Sequence, residues 1–242
     1  MINNEFKRIA ILLKSIPAYV TVIFVLSIIT MNLLAQITVV SLPWLALNAG
    51  VFVSWLCFLC MDVVTKRYGA RAANILSIMA ITINLIFCGI LFIVSKIGTI
   101  PSLDMFMGGA WSITLASTIA FILSAITNNY SNVLVGKMFK NNYDSKVAYV
   151  TRTYVSTMIG QFVDNFSFVF LAFVVLPLIP GAAQIHWTIA QCLGCSIVCA
   201  IIELLFEVVF SPFGYKVNQK WKEKNVGVDY LNIYYPEGLI HG

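Results

Sequence analysis

Four carboxylates stand inside or at the mouth of otherwise apolar stretches: Asp62, Asp164, Glu203 and Glu207. A charged side chain at the centre of a bilayer costs about 2.5–3.5 kcal/mol on insertion scales, so such a group faces a cavity or a partner. Asp164 closes the segment RTYVSTMIGQFVDN, which also carries Arg152, Ser156, Gly160 and Gln161. As a helix, this segment sets Asp164 about 18 Å from Arg152. Arg152, Ser156, Gly160 and Asp164 then fall within roughly 120° of one another, with Gln161 on the Asp164 side. The result is a polar stripe running from one membrane surface to mid-depth. Ser156 and Gly160 also read as a small-x-x-x-small packing pair. Helix packing does not account for Gln161 and Asp164, and a binding role does.

Glu203 and Glu207 are spaced i, i+4 in IIELLFEVVFSPFGY, so a helix puts them on one face, about 6 Å apart. Close carboxylates in a low dielectric resist joint ionisation, so one of them holds a proton at neutral pH. The pair suits hydrogen bonding to a solute, coupling to protons, or an ion pair with Arg152. Asp62 lies near the end of a helix, where the dipole disfavours an acid, so it needs compensation from Arg67 or Arg71; a structural ion pair and a binding role fit equally well. Asn32, Asn128, Asn129 and Ser131 add buried hydrogen-bonding groups that serve either the bundle or a ligand. Together these groups suit a neutral, flat solute with several donors. A carboxylate accepts two N–H donors from one edge of a guanine-like ring, and amides offer both a donor and an acceptor. The phenylalanines could wall such a pocket, although core packing explains most of them.

The elements that carry these groups follow from composition. The chain has 242 residues, 60% of them hydrophobic and 10% charged, with a mean hydropathy of +0.90. Soluble domains are nearer 45–50% apolar and about 25% charged, so this is an integral membrane protein. Runs long enough to span a bilayer occur at about 17–40, 44–64, 73–95, 108–135, 153–176 and 186–211. The expected fold is all-α: a bundle of six transmembrane helices, forming one integral membrane transporter domain over residues 1–242. Short loops make neighbouring helices antiparallel. Lys96 is the one basic residue of 15 that falls outside the N-terminal lead-in, the even-numbered connections and the tail after the sixth run. Both termini are therefore expected in the cytoplasm.

The first residues, MINNEFKRIAILLKSIP, lack a small-residue cleavage site and read as an amphipathic lead-in to the first helix. Pro212 is expected to end or kink the sixth helix. The polar tail from Asn218 is expected on the cytoplasmic surface or mobile. Trp44, Trp55, Trp111 and Trp187 read as interface anchors, with Trp55 deep enough to stack on a flat ligand.

Several function classes fall away. The net charge of +5 is spread over four loops, which is a topology signal and not a nucleic-acid footprint. There is no P-loop, H-E-x-x-H or G-x-S-x-G, so the chain is expected to carry no ATPase, no cofactor and no enzyme activity of its own. CFLC and CLGC match C-x-x-C. Their neighbours are Phe, Leu, Val and Ile, which favours packing over metal or redox chemistry.

Four blocks carry a resemblance: MNLLAQ, FVSWLCFLCMDVVTKRYGARAAN, RTYVSTMIGQFVDNFSFVFLAF and ELLFEVVFSPFGY. In this order, and through the combination of D-x5-YG-x2-A with R-x3-ST-x2-GQ-x2-D, the chain resembles the queuosine precursor transporters, also called the vitamin uptake transporter family. Lys66 departs from that pattern, at a position where many members carry an acid. The resemblance implies that Asn32, Asp62, Arg152, Gln161 and Asp164 correspond to the family's polar residues. It also implies import of a 7-deazaguanine (the cyano or aminomethyl form, or queuine) that feeds transfer RNA modification. The partners expected on this reading are the deazapurine substrate and the lipid bilayer, with no nucleic acid. The protein would be a multi-pass component of the inner or plasma membrane, working alone or as a homo-oligomer. The competing reading is the substrate-binding membrane subunit of an ATP-driven vitamin or nucleobase uptake system whose ATPases are separate chains.

Overall fold

The structure is a computed structural model describing residues 2–97, 101–138 and 146–235. It is mostly helical. The order is α1 (Ile2–Ser15), α2 (Ala18–Leu34), β1 (Thr38–Ser41), β2 (Ala46–Asn48), α3 (Val51–Tyr68), α4 (Ala70–Ile97), α5 (Pro101–Met138), α6 (Lys146–Phe170), α7 (Ile189–Glu223) and α8 (Val228–Tyr234). Among the described residues, Arg71–Ile97, Met158–Leu178 and Ile189–Phe210 are long and apolar enough to cross a membrane. A fourth crossing arises if Phe6–Ser15 and Ala18–Leu34, bent by 105°, count as one.

Helix α4 shows why lipid is the solvent. Ile78, Ile86, Ile90, Ile93 and Ile97 are all more than half exposed, on one stripe. Ser77, Asn84 and Cys88 are buried, at the helical spacing of the opposite face. An apolar outside over a polar inside would be an unworkable surface in water, and it is the stable arrangement in hydrocarbon.

The described residues form two compact units. The first draws on Met1–Met31, Phe52–Asn84 and Phe206–Gly242. Its core packs Leu12, Ile16, Phe24, Val64, Tyr68, Leu76, Trp221 and Tyr230. Helix α3 passes to α4 through Gly69 alone, which takes φ +85° and donates to Thr65 O at 2.9 Å. This left-handed position ends α3, and a side chain there would be strained.

The second unit draws on Asn32–Val51 and Leu85–Leu205. Its core packs Ile113, Ala116, Val169, Ala172, Phe173, Trp187 and Cys192. Helix α7 opens on a reciprocal cap: Gln191 Oε1 accepts from Thr188 N at 2.9 Å, and Gln191 N donates to Thr188 Oγ1 at 3.2 Å. Gln191 Nε2 also donates to Leu42 O in the β1–β2 turn at 2.9 Å. Gly194 on α7 lies so close to Trp44 O that a Cβ there would collide with it.

Three expectations are corrected, the last two in one of their two alternatives. The first run does not continue as helix to residue 40, nor does the second begin at 44. Helix α2 stops at Leu34, and β1 pairs antiparallel with β2, Thr38 facing Asn48 and Ser41 facing Ala46. The β-branched run Ile37–Val40 favours strand, and Pro43 sits at the tip, outside the ladder. Asn48 then receives Gly50 N at 2.9 Å and turns the chain into α3. Pro212 does not end α7, which runs on to Glu223. One missing N–H is a local loss that membrane helices tolerate. The tail from Asn218, expected on the cytoplasmic surface or mobile, is packed through Tyr235: Trp221 and Tyr230 are buried in the first core.

Candidate functional site

Helix α6 carries Arg152, Gln161 and Asp164 on one continuous helix, as the spacing requires. The side chains of Asp62, Arg152 and Glu207 lie outside the described ones, as do those of Asn128, Asn129, Ser156 and Thr157. By chain position, Arg152, Gln161, Asp164, Glu203 and Asn32 belong to the second unit, and Asp62 and Glu207 to the first.

In the second unit a polar cluster is built around a residue that sequence reasoning missed. Asn165 Nδ2 donates to Glu203 Oε2 at 2.8 Å and to Gln161 O, one turn earlier, at 2.9 Å. This ties α6 to α7 at the level of Glu203, which is 5% exposed. Gln161 is also 5% exposed, and its Oε1 has no hydrogen-bond partner. A buried acceptor left unpaired costs about 1–3 kcal/mol. Asp164 is half-buried beside it in sequence. Asn32 is buried in the same unit, and Gln36, four residues later, holds a buried Nε2 donor without a partner. The spacings Asn32–Gln36 and Gln161–Asn165 were visible as i, i+4 amide pairs. The contact from Asn165 to Glu203 was not, since it joins segments far apart in sequence.

On another side of α6, centred about 150° round from Gln161, Asp164 and Asn165, Phe162, Phe166 and Phe170 stack in a ladder, with centroids 6.2 and 5.7 Å apart. The packing reading of Gly160 also holds in part: Ser124 Oγ on α5 donates to Gly160 O at 3.0 Å. Trp55, read as a stacking platform, already stacks on Phe210 at 4.4 Å and Phe206 at 5.7 Å within the first unit. Trp187, read as an anchor, is buried against Phe173 at 4.3 Å.

The cysteines are buried and form no disulfide: Cys57 and Cys60 lie in the first core, Cys192, Cys195 and Cys199 in the second, and Cys88 against Thr114 Oγ1 at 2.9 Å. No group of three or more metal-ligating residues occurs among the described ones. What the second unit offers is hydrogen bonding within a helical bundle: a carboxylate and an amide acceptor with nothing to accept.

The family model described as "Putative vitamin uptake transporter" matches residues 48–217. The chain belongs to the vitamin uptake transporter family. Its apolar helices and this membership make it a multi-pass membrane transporter, whose partners are a small molecule and the bilayer. The matched stretch contains the whole polar segment of α6 and Glu203, and it leaves out Asn32. Neither the curated proteins nor the solved structures contain a match to this chain.

Proposed function

We propose that this vitamin uptake transporter imports a 7-deazaguanine precursor of queuosine, such as the cyano or aminomethyl base or queuine. The observation that carries the reading is the unpaired, buried Gln161 Oε1 beside the Asn165–Glu203 contact. An acceptor kept dry and unsatisfied in the resting protein is stabilised when a ligand N–H reaches it. The carboxylates of Asp164 and Glu203 supply further acceptors for the donor-rich edge of a guanine-like ring. Arg152 at the start of the stripe and Asn32 complete the substrate-binding set in this unit. We read the chain as one transporter domain of six spans, with both ends on the cytoplasmic side of the inner or plasma membrane, a reading that the basic-residue pattern supports.

The test uses cells that neither make nor import deazaguanine precursors. They express this chain and receive each precursor at low concentration, and queuosine in their transfer RNA is measured. The expected result is modified transfer RNA with the wild type and none with Asp164→Ala at equal membrane abundance. Wild-type protein that is folded in the membrane and yields no queuosine from any precursor would rule out the substrate. Purification of the same protein shows whether separate ATPase subunits travel with it, as the alternative of an ATP-driven complex demands.

A further inference from the structure

Helix α1 presents three different faces. Arg8, Leu12 and, just beyond the helix, Ile16 point inward, with exposures of 8%, 0% and 3%. Arg8 Nε donates to Tyr230 OH at 3.0 Å, and its guanidinium lies 4.2 Å from the centre of the Tyr234 ring, so this face is held by α8. The second face is apolar and open: Phe6 is 66% exposed and Leu13 37%, with Ala10 exposed and Ile9 half-buried between them. At about 100° per residue, these four residues fill one arc of roughly 100°. The third face is a row of two lysines. Lys7 and Lys14 are both exposed and, two turns apart, sit on the same edge of that arc about 10 Å from each other.

The direction of the chain decides what this surface meets. Helix α1 turns by 105° into α2 around Pro17. Helix α2 is apolar and exposes Tyr19, Val22, Ile23 and Leu26 on one side, as a lipid-facing helix does. A helix nearly perpendicular to one that enters the bilayer lies along the bilayer surface. There its open apolar arc sinks among the acyl chains, and the lysine row remains at the depth of the headgroup phosphates.

We infer that α1 is a lipid-docking helix that inserts Phe6, Ile9, Ala10 and Leu13 into the membrane interface and holds anionic phospholipid headgroups with Lys7 and Lys14. Each lysine near an anionic surface favours such lipids by about five-fold, and the effect weakens as salt rises. The inward face couples this docking to the protein: Arg8 rests on α8, and Tyr68 OH at the end of α3 donates to Ser15 O at 2.7 Å. The reading is independent of the substrate.

The test uses the full-length protein in vesicles of phosphatidylcholine mixed with phosphatidylglycerol. Phe6→Cys, Leu13→Cys and Lys7→Cys each receive a nitroxide. The six native cysteines are buried, so the unsubstituted protein gives the labelling background. Collision with oxygen should exceed collision with a water-soluble nickel chelate at positions 6 and 13, and the balance should shift toward nickel at position 7. Nickel dominating at 6 and 13 would place the face in water and overturn the inference. Exclusion of both probes would mean that a protein, such as a second copy of this chain, covers it, which also overturns it. The lysine row is tested separately by Lys7→Gln/Lys14→Gln, which changes only exposed positions. The preference of the protein's lipid shell for spin-labelled phosphatidylglycerol over phosphatidylcholine should fall several-fold. An unchanged preference would remove the headgroup assignment.

Discussion

In the first unit the polar side chains of the packed core are used to hold that core together. Arg8 donates to Tyr230 OH, Arg67 donates to Val226 O through both Nε and Nη2 at 3.0 and 2.7 Å, Tyr68 donates to Ser15 O, and Trp221 donates to Tyr19 OH at 3.1 Å. These contacts join α1, the start of α2 and the α7–α8 end of the chain to the α3–α4 corner. In the second unit not every buried polar group is satisfied: Gln161 Oε1 on α6 and Gln36 Nε2, just after α2, stay unpaired. Asn218 Oδ1 is the first unit's own unpaired atom, but its Nδ2 donates to Val63 O at 3.2 Å, which is enough to explain the residue as a strut. A region that uses its hydrogen bonds internally is built for stability. An open buried group such as Gln161 Oε1 calls for a partner, which under the proposed function is the ligand.

Four experiments bear on this contrast. The largest effect belongs to the second unit: Asp164→Ala or Gln161→Ala should cut initial uptake on the order of 100-fold, the equivalent of about 3 kcal/mol. The thermal unfolding of the purified protein should hardly change. A large loss of stability instead would make these residues struts like Asn218. Next, Arg67→Ala should destabilise the protein by about 2 kcal/mol, since it removes a buried guanidinium and both its bonds to the half-buried Val226 carbonyl, and uptake per folded molecule should persist. Third, Asn165→Ala and Glu203→Ala should not add. Uptake by the double variant should resemble that of Glu203→Ala alone, a coupling of about 1–2 kcal/mol, whereas additive losses would separate the two residues. The smallest effect is that of Tyr230→Phe, about 1 kcal/mol in unfolding, because Arg8 keeps its contact with the Tyr234 ring.

The helices were legible in the sequence because runs of about 20 apolar residues have few other uses. The same signal hid the β1–β2 hairpin. Ile37, Thr38, Val39 and Val40 are as apolar on average as a helix segment, and hydropathy does not separate a strand from a span. The packing of the tail was hidden for the opposite reason: its lysines are exposed, Trp221 stands among them, and Tyr230 and Tyr234 follow in a polar stretch, yet these rings do the packing. Within the site, Gln161, Asp164 and Glu203 stood out because each is costly in an apolar helix. Asn165 did not, although it is the residue that touches Glu203, because that contact depends on how α6 and α7 pack. Gln36 lay in plain view in MNLLAQ; its significance comes from a buried, unpartnered Nε2, a property of the folded chain and not of the residue type.

Helix α6 finishes unusually. Leu171–Val175 is wound as a π turn, closed by Leu176 N donating to Leu171 O, and a 3₁₀ turn over Leu176–Leu178 comes next. The wider turn coincides with a second bond, from Trp187 N to Phe173 O at 3.0 Å. A π turn is the mark that one inserted residue leaves in an α-helix, and a helix that absorbs an insertion locally does not transmit it. Gains and losses of single residues among relatives of this chain should therefore gather between Leu171 and Val175. Removing one residue there would return the turn to ordinary α geometry and leave the backbone on either side in register. Gln161, Asp164 and Asn165, which lie upstream, would keep their places. In evolutionary terms, the end of α6 is the part of the helix free to change length without displacing Gln161, Asp164 and Asn165.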